Sequence, residues 1–236
     1  ARGLEVRVIF GTVVSLAVSI IPEGLPIAVT LILASGVWRM SKRNALVKKL
    51  QAIEALGQVD VIAVDKTGTL TQNEMTVVGI AIGTETYTIS GNGYEENGEI
   101  LQNNNPITAS EHPELLIAGR VFAFCGNARI TKDTESGSVV IAGDPTDAAL
   151  VIAAKKLGFV RDELITEHPL VEDLPFDYRR KFHATVHQIG KHHFLSAVGA
   201  TESILALCDT PQKKSILLKA SAQSKKGLRV LAYAYS

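Results

Sequence analysis

The sequence predicts an α/β multi-domain membrane protein fragment. Three observations predict it. Residues Val8 to Leu33 are almost wholly apolar, and basic residues crowd the stretch that follows. The run Val61-Ile62-Ala63-Val64 ends in Asp65 and a loop of small residues. That is the pattern of a buried strand carrying chemistry at its carboxyl end. Beyond residue 77, strand-like runs, turn clusters and capped helices alternate, which predicts an α+β domain with an antiparallel sheet.

Composition narrows the function. Lys plus Arg number 24 and Asp plus Glu number 24, so the balance gives no sign of a nucleic-acid partner. Cys125 and Cys208 form neither a metal-ligand spacing nor a disulfide framework. Both read as small apolar residues in a reducing compartment. No signal peptide is visible, because the first apolar stretch is too long and lacks a small-residue cleavage site. The chain starts without Met and stops inside a strand-like run, so it is expected to be cut at both ends. Its length suits one or two domains with real cores.

Val8 to Leu33 is long enough to cross a bilayer core of about 30 Å. A buried core helix is the alternative, and length and composition favour the membrane. Arg39, Lys42, Arg43, Lys48 and Lys49 place the following side in the cytoplasm by the positive-inside rule; Arg2 and Arg7 weaken the contrast without cancelling it. Within the span lies Ile21-Pro22-Glu23-Gly24-Leu25-Pro26. Its prolines and glycine disrupt helical bonding, so carbonyls of Val18, Ser19 and Ile21 are candidates to lose partners. An intramembrane carboxylate, Glu23, beside broken helix is a cation-site signature; a proline kink with a protonated glutamate is the plainer reading. From Val37 to Gly57 a helical stalk is expected, with Trp38 at the membrane interface and Glu54 as a solvated helix residue.

Asp60 to Val64 is the expected strand, and Asp65 is a possible phosphoryl acceptor. Lys66 adds positive charge. Thr67, Gly68 and Thr69 offer hydroxyl and backbone N–H donors to phosphate oxygens. The plainer reading, a buried strand and a capped turn, explains Gly68 but not the whole octet from Val64 to Thr71.

The next region opens with strands over Val77–Ile82 and Glu85–Ile89. Turns follow at Ser90–Gly93 and Glu95–Gly98, and Asn103–Pro106 reads as a loop. A helix is expected from Pro113 to about Cys125. Asp144 reads as an N-cap, Pro145 as the first helical residue, and Asp147 as the third member of a capping-box-like pattern. Phe176, followed by Arg179, Arg180 and Lys181, is either a base-stacking ring with phosphate-neutralising cations or a core Phe beside a solvated charge cluster. Phe182 to Val198 is expected as a hairpin turning at Gly190-Lys191. Its alternation puts His183 and His187 on one polar face. A metal site there is imaginable, but solvent-facing residues are the preferred reading. Gly199 allows a close approach of ligand to backbone. Short helices are expected over Thr201–Cys208 and Lys214–Ser224.

Several of these stretches resemble a known family. Asp-Lys-Thr-Gly-Thr-Leu-Thr from Asp65 resembles the phosphorylation motif of P-type ATPases. Pro22-Glu23-Gly24-Leu25-Pro26 resembles their fourth transmembrane helix, in the form most like calcium pumps and other type II relatives. Asn44 to Leu50, Glu54 to Gly57 and Gln72 to Thr76 resemble the family's flanking segments. Gly143-Asp144-Pro145-Thr146-Asp147, Pro175-Phe176-Asp177 with Arg180-Lys181, Gly199-Ala200 with Glu202, and Gly227-Leu228-Arg229 resemble its nucleotide-domain motifs in the family's order. Two departures stand out: Val198 replaces the motif's lysine and Thr201 its proline.

The resemblance implies a transmembrane helix over 1–40, a stalk over 41–57, the start of a haloacid-dehalogenase-like (Rossmann-like) phosphorylation domain over 58–77, and a nucleotide-binding domain over 78–236. It implies that Asp65 is phosphorylated by ATP, that Lys66 assists, and that the Thr67 carbonyl binds Mg2+. Many phosphotransferases of the haloacid-dehalogenase superfamily carry an aspartate where Thr67 stands; a threonine does not easily activate water, so a lasting phosphoenzyme is implied. Asp147, Phe176, Arg180, Lys181, Gly199 and Arg229 are implied nucleotide contacts, the last on an implied strand over Gly227–Ala232. Glu23, with carbonyls of Val18, Ser19 and Ile21, is an implied ligand set for the transported cation, calcium first. The implied setting is an integral membrane protein, in the cell membrane if prokaryotic, with its domains in the cytoplasm. Implied partners are ATP, the cation, the lipid bilayer, and the remaining transmembrane helices and actuator domain. No later Gly-Asp-Gly segment is present to complete the magnesium site, so this stretch alone is expected to be inactive. The alternatives are a degenerate pump relative that binds nucleotide without turnover, and a membrane-tethered phosphatase.

Overall fold

The computed structural model describes residues 5–20, 24–132 and 139–236. They form two units, Ala1–Asp65 and Lys66–Ser236.

The first unit is helical. Helix α1 spans Val6–Ile20 and α2 spans Gly24–Ser41, and neither buries a residue against protein. This region is long and apolar enough to cross a membrane. Its hydroxyls suit lipid. Thr12, Ser19 and Thr30 each donate to the carbonyl four residues earlier, at 2.8, 2.5 and 2.8 Å, so these side chains need no water. Val18 and Ser19 lie in α1. Ile21 and Glu23 lie outside the described residues.

The stalk is not one helix. Asn44 takes a left-handed φ of 60°, Asn44 N–H donates to Ser41, and Ala45 N–H reaches back to the Met40 carbonyl. This paired closure stops α2 as a glycine would. A short helix α3, Gln51–Leu56, resumes the stalk. It meets α2 where Gly36 lacks a side chain: a Cβ there would sit 3.4 Å from the Ile53 side chain. The strand expected over Asp60–Val64 is also not formed, and Val61 and Ile62 are exposed. A strand needs a neighbour to accept its ladder. None pairs with this run among the described residues.

The second unit starts with a turn over Lys66–Leu70 and then builds sheets. Strands β1 (Gly79–Ile82), β2 (Glu85–Ile89), β3 (Ile100–Gln102) and β4 (Asn105–Ile107) form an antiparallel meander in that order. The expected loop Asn103–Pro106 is a hairpin instead. Asn103 and Asn104 have φ of 51° and 66°, the pair that closes a two-residue turn matched to strand twist. Pro106 falls in edge strand β4, where its missing N–H does no harm.

Helix α4 spans Pro113–Cys125, within the expected limits. Leu115, Ala118 and Val121 are fully covered, and the same core holds Ile80, Tyr87, Ile89 and Ile100. Strands β5 (Arg129–Lys132) and β6 (Val139–Ala142) pair with each other. Helix α5 is Pro145–Lys156, and Thr146 N–H donates to its N-cap, Asp144, at 2.7 Å. A short α6, Arg161–Glu167, follows.

The second four-stranded sheet runs β10 (Ala232–Tyr235), β9 (His192–Gly199), β8 (Phe182–Ile189), β7 (Leu170–Leu174), all antiparallel. The hairpin turns at Gly190-Lys191 as expected. Its faces are the reverse of the expectation. Thr185 is 4% exposed and His187 2%, whereas Ala184 and Val186 on the other face are only half-buried. The polar face is covered because α4 packs on it: His187 stacks on Phe124 with centroids 3.8 Å apart. Helices α7 (Thr201–Leu207) and α8 (Lys213–Ser224) then lead to β10. Strand β10 starts at Ala232 rather than Gly227. Ala232 pairs with Gly199, the last residue of β9, so residues before it have no partner. Arg229 is therefore in the exposed approach to β10.

Candidate functional site

The loop after Asp65 closes on its own threonine. Thr71 N–H and Thr71 Oγ1 both donate to the Lys66 carbonyl, at 3.1 and 3.2 Å, and Gly68 N–H donates to Thr71 Oγ1. Thr67 leaves helical geometry at φ −81°, ψ 120°, and Gly68 follows at φ 75°. Nothing crowds a Cβ at Gly68, so the backbone angle alone calls for glycine. Asp65 is exposed, as are Lys66 and Thr67.

The Phe176 segment is the connection between β7 and β8. Phe176 is 53% exposed and its ring meets Tyr178 edge-on, 5.4 Å between centroids. It is not a core residue. Asp177 folds the loop by accepting from the N–H groups of Arg179 and Arg180 at 2.9 and 3.0 Å, Arg180's bond being the larger cause of its lowered pKa. Lys181 has a left-handed φ of 60°, unusual for a side-chain-bearing residue. Three bonds hold it: Lys181 N–H to Asp177 O at 2.6 Å, Ala200 N–H to Lys181 O at 2.8 Å, and Lys181 Nζ to Glu202 Oε1 at 3.4 Å. Phe176, Arg180 and Lys181 thus belong to one exposed loop, fastened to residues 199–202.

Gly199 has a structural reason to be glycine. A Cβ there would collide with the Lys181 carbonyl and with Cα and Cβ of Phe182. Beside it, Val198 is 6% exposed and joins the apolar core. An ammonium group at that depth would be costly to desolvate, which gives valine a local rationale.

Asp147 lies in the first turn of α5 and is half-buried. It does not close the capping box. The Asn127 backbone amide nearby favours its charged form. Burial raises its pKa, the nearby Asp144 charge adds to that, and His183 opposes it. His183 connects the end of α4 to strand β7, just before the Phe176 loop. Its Nδ1 donates to the Cys125 carbonyl at 2.9 Å, and its Nε2 meets Asp173 Oδ1 at 2.8 Å. Below the pair a cavity of about 200 Å³ is lined by His183, Thr185, His187, Asp173, Arg161 and Asn127. His187 Nε2 and Arg161 Nε are buried there without protein partners. Among the described residues no cluster of His, Cys, Asp and Glu is arranged to hold a metal ion.

The family model for the P-type ATPase cytoplasmic domain N matches residues 118–236, half of the chain, from mid-α4 through β10. The chain belongs to the P-type ATPases. It is 37% identical to the cation-transporting ATPase pma1 of Synechocystis over 99% of its own length and 27% of that protein. It is 42% identical to a calcium-transporting ATPase of Bacillus subtilis, over 76% of this chain and 20% of the relative. The human calcium-transporting ATPase type 2C member 1 is 36% identical over 98% of this chain and 26% of that protein. The chain therefore spans about a quarter of the length of such pumps.

Within this P-type ATPase unit, two groups of expected nucleotide residues are linked. The loop with Phe176, Arg180 and Lys181 meets Gly199–Glu202 directly. Asp147 lies against Gly126, next to the Cys125 carbonyl that His183 holds. Arg229 stands apart, on the approach to β10. The sequence reading has His183 facing solvent, whereas its side chain is 13% exposed and bonded to Cys125 and Asp173. Asp173 carries no sequence signal.

Proposed function

We propose that the chain is part of an ATP-driven cation pump that works through an aspartyl phosphate at Asp65. The octet Val64–Thr71, in a chain belonging to the P-type ATPases, carries this reading. Adenosine stacks on Phe176, with Asp147 and Gly199 near it, and Arg180, Lys181 and Arg229 neutralise phosphates. Asp65 attacks the γ-phosphorus, Lys66 offsets charge, and ADP leaves. The Asp65 carboxylate and the Thr67 carbonyl are hard oxygen donors of the kind Mg2+ takes. When bound, the ion would neutralise the phosphates during transfer. Calcium is the proposed cargo, supported by the names of two relatives and by Pro22-Glu23-Gly24-Leu25-Pro26. Glu23 and carbonyls of Val18, Ser19 and Ile21 would supply its oxygen ligands. The apolar, self-satisfied helices α1 and α2 support a place in a bilayer, with the second unit in the cytoplasm.

The test is phosphorylation of the full-length protein by ATP. An acid-stable phosphoenzyme is expected with wild type and calcium, and none with Asp65→Asn. No phosphoenzyme under any cation refutes the pump reading. Stimulation by sodium or potassium but not calcium refutes the cargo.

A further inference from the structure

We propose that His183 is a positioning residue for nucleotide binding, setting the spacing between Asp147 and the Phe176 loop. The inference rests on the second unit's role as a nucleotide-binding domain. The hub is the segment just past helix α4. Cys125 ends that helix, so its carbonyl is one of the four left without an intrahelical donor, and His183 Nδ1 supplies one at 2.9 Å. The next residue, Gly126, lies against α5: a Cβ there would sit 3.2 Å from the Asp147 carbonyl, and the Asn127 amide beyond it helps hold the Asp147 pKa down. The same three residues therefore touch α5 on one side and bond β8 on the other.

The other ring nitrogen extends the link sideways. His183 Nε2 lies 2.8 Å from Asp173 Oδ1, on edge strand β7. Carbonyl and carboxylate are both acceptors, and the imidazole lies between them. Leu174 ends β7 one residue after Asp173, and Pro175 and Phe176 follow. The other end of the loop is fixed separately, through Lys181 and Ala200. Strand β7 has little burial of its own, since Leu170 and Val171 are 53% and 54% exposed. The His183–Asp173 contact ties the loop's entry to the body that also carries Asp147. A surface pair would do little. This imidazole is 13% exposed, and it bridges two elements that carry ligand groups.

Binding is measured on the full-length protein, with ATP and with inorganic tripolyphosphate as probes, in His183→Phe, His183→Gln, Asp173→Ala and the double variant His183→Phe/Asp173→Ala. Amide exchange over residues 175–181 is followed without nucleotide. His183→Phe should weaken ATP roughly tenfold, the scale of one charge-assisted bond. Tripolyphosphate affinity should stay the same. His183→Gln should recover part of the loss by donating to Asp173. The double variant should be no worse than His183→Phe, and loop exchange should quicken alike in both. ATP affinity within twofold of wild type in His183→Phe, or losses that multiply in the double variant, overturns the proposal. If wild type binds no ATP, the nucleotide reading fails; unchanged loop exchange in His183→Phe then overturns the link itself. Should His183→Phe not fold, ATP affinity and loop exchange in His183→Gln and Asp173→Ala decide the matter by the same thresholds.

Discussion

Gly199→Ala separates two explanations of one glycine. Either the site needs open backbone for a ligand, or β9 needs it to lie against β8. The geometry favours the second. Gly199 pairs with Phe182 on one side and Ala232 on the other, and an added Cβ meets backbone and Cβ atoms of Lys181 and Phe182 rather than a flexible tip. Strand β8 must retreat, which costs about 1–3 kcal/mol as overpacking. Retreat also loosens the 2.8 Å bond from Ala200 N–H to Lys181 O, adding about 1 kcal/mol. For a unit of this size the sum lowers the melting temperature by roughly 5–15 °C. Thermal unfolding of Lys66–Ser236, followed by circular dichroism, measures it. A melting temperature within about 1 °C of wild type refutes the packing argument. If that variant also loses ATP affinity, Gly199 belongs to the ligand contact instead.

Tyr87→Phe removes the 2.6 Å bond from Tyr87 Oη to Glu114, the main cause of the tyrosine's pKa rising to about 12. A loss of about 1.5–3 kcal/mol is expected in urea unfolding, as for a buried bond to a charged partner; a change below half a kcal/mol (about the scatter of surface substitutions) contradicts it. His187 is kept below its ordinary value of 6.5 chiefly by burial, so the unfolded chain binds its proton more readily. Stability is then full above that unfolded value and declines as pH falls through it toward the lowered folded one. His187→Phe, which preserves the ring against Phe124, should flatten this decline in melts between pH 7.5 and pH 5, buffer values chosen to bracket the ordinary histidine pKa. An unchanged slope shows that other groups carry it.

Sequence was most informative where local chemistry decides structure. Pro113 and Pro145 start α4 and α5, Asp144 caps the second, and Gly190-Lys191 turns the hairpin. Each depends on a few neighbouring residues. It was least informative where distant partners decide. Val61–Val64 is as apolar as any strand here, yet a ladder partner is a property of other residues. The left-handed Asn44 that ends α2 looked like any polar stalk residue. Asn103-Asn104 read as a loop because two positive φ angles side by side leave little trace in composition. Val198 appeared as a missing cation, and only the core around it shows why an apolar residue sits there.

The inverted face of β8 is the most consequential of these differences. Periodicity assigns alternate residues to two faces but does not say which face is covered. Polarity normally settles that, and here it misleads, because His183 and His187 bring polar atoms that meet partners inside. His183 takes the Cys125 carbonyl and Asp173; His187 Nδ1 takes the His168 carbonyl at 2.9 Å. A helix that ends against a sheet leaves carbonyls that water cannot reach, and a strand must supply donors to them. Imidazole does so while its ring still packs on Phe124 or lines the cavity. The histidines are therefore on this face because α4 ends there. The same ending places Gly126 against the Asp147 carbonyl, so one helix terminus bears on both the packing of the sheet and the position of Asp147.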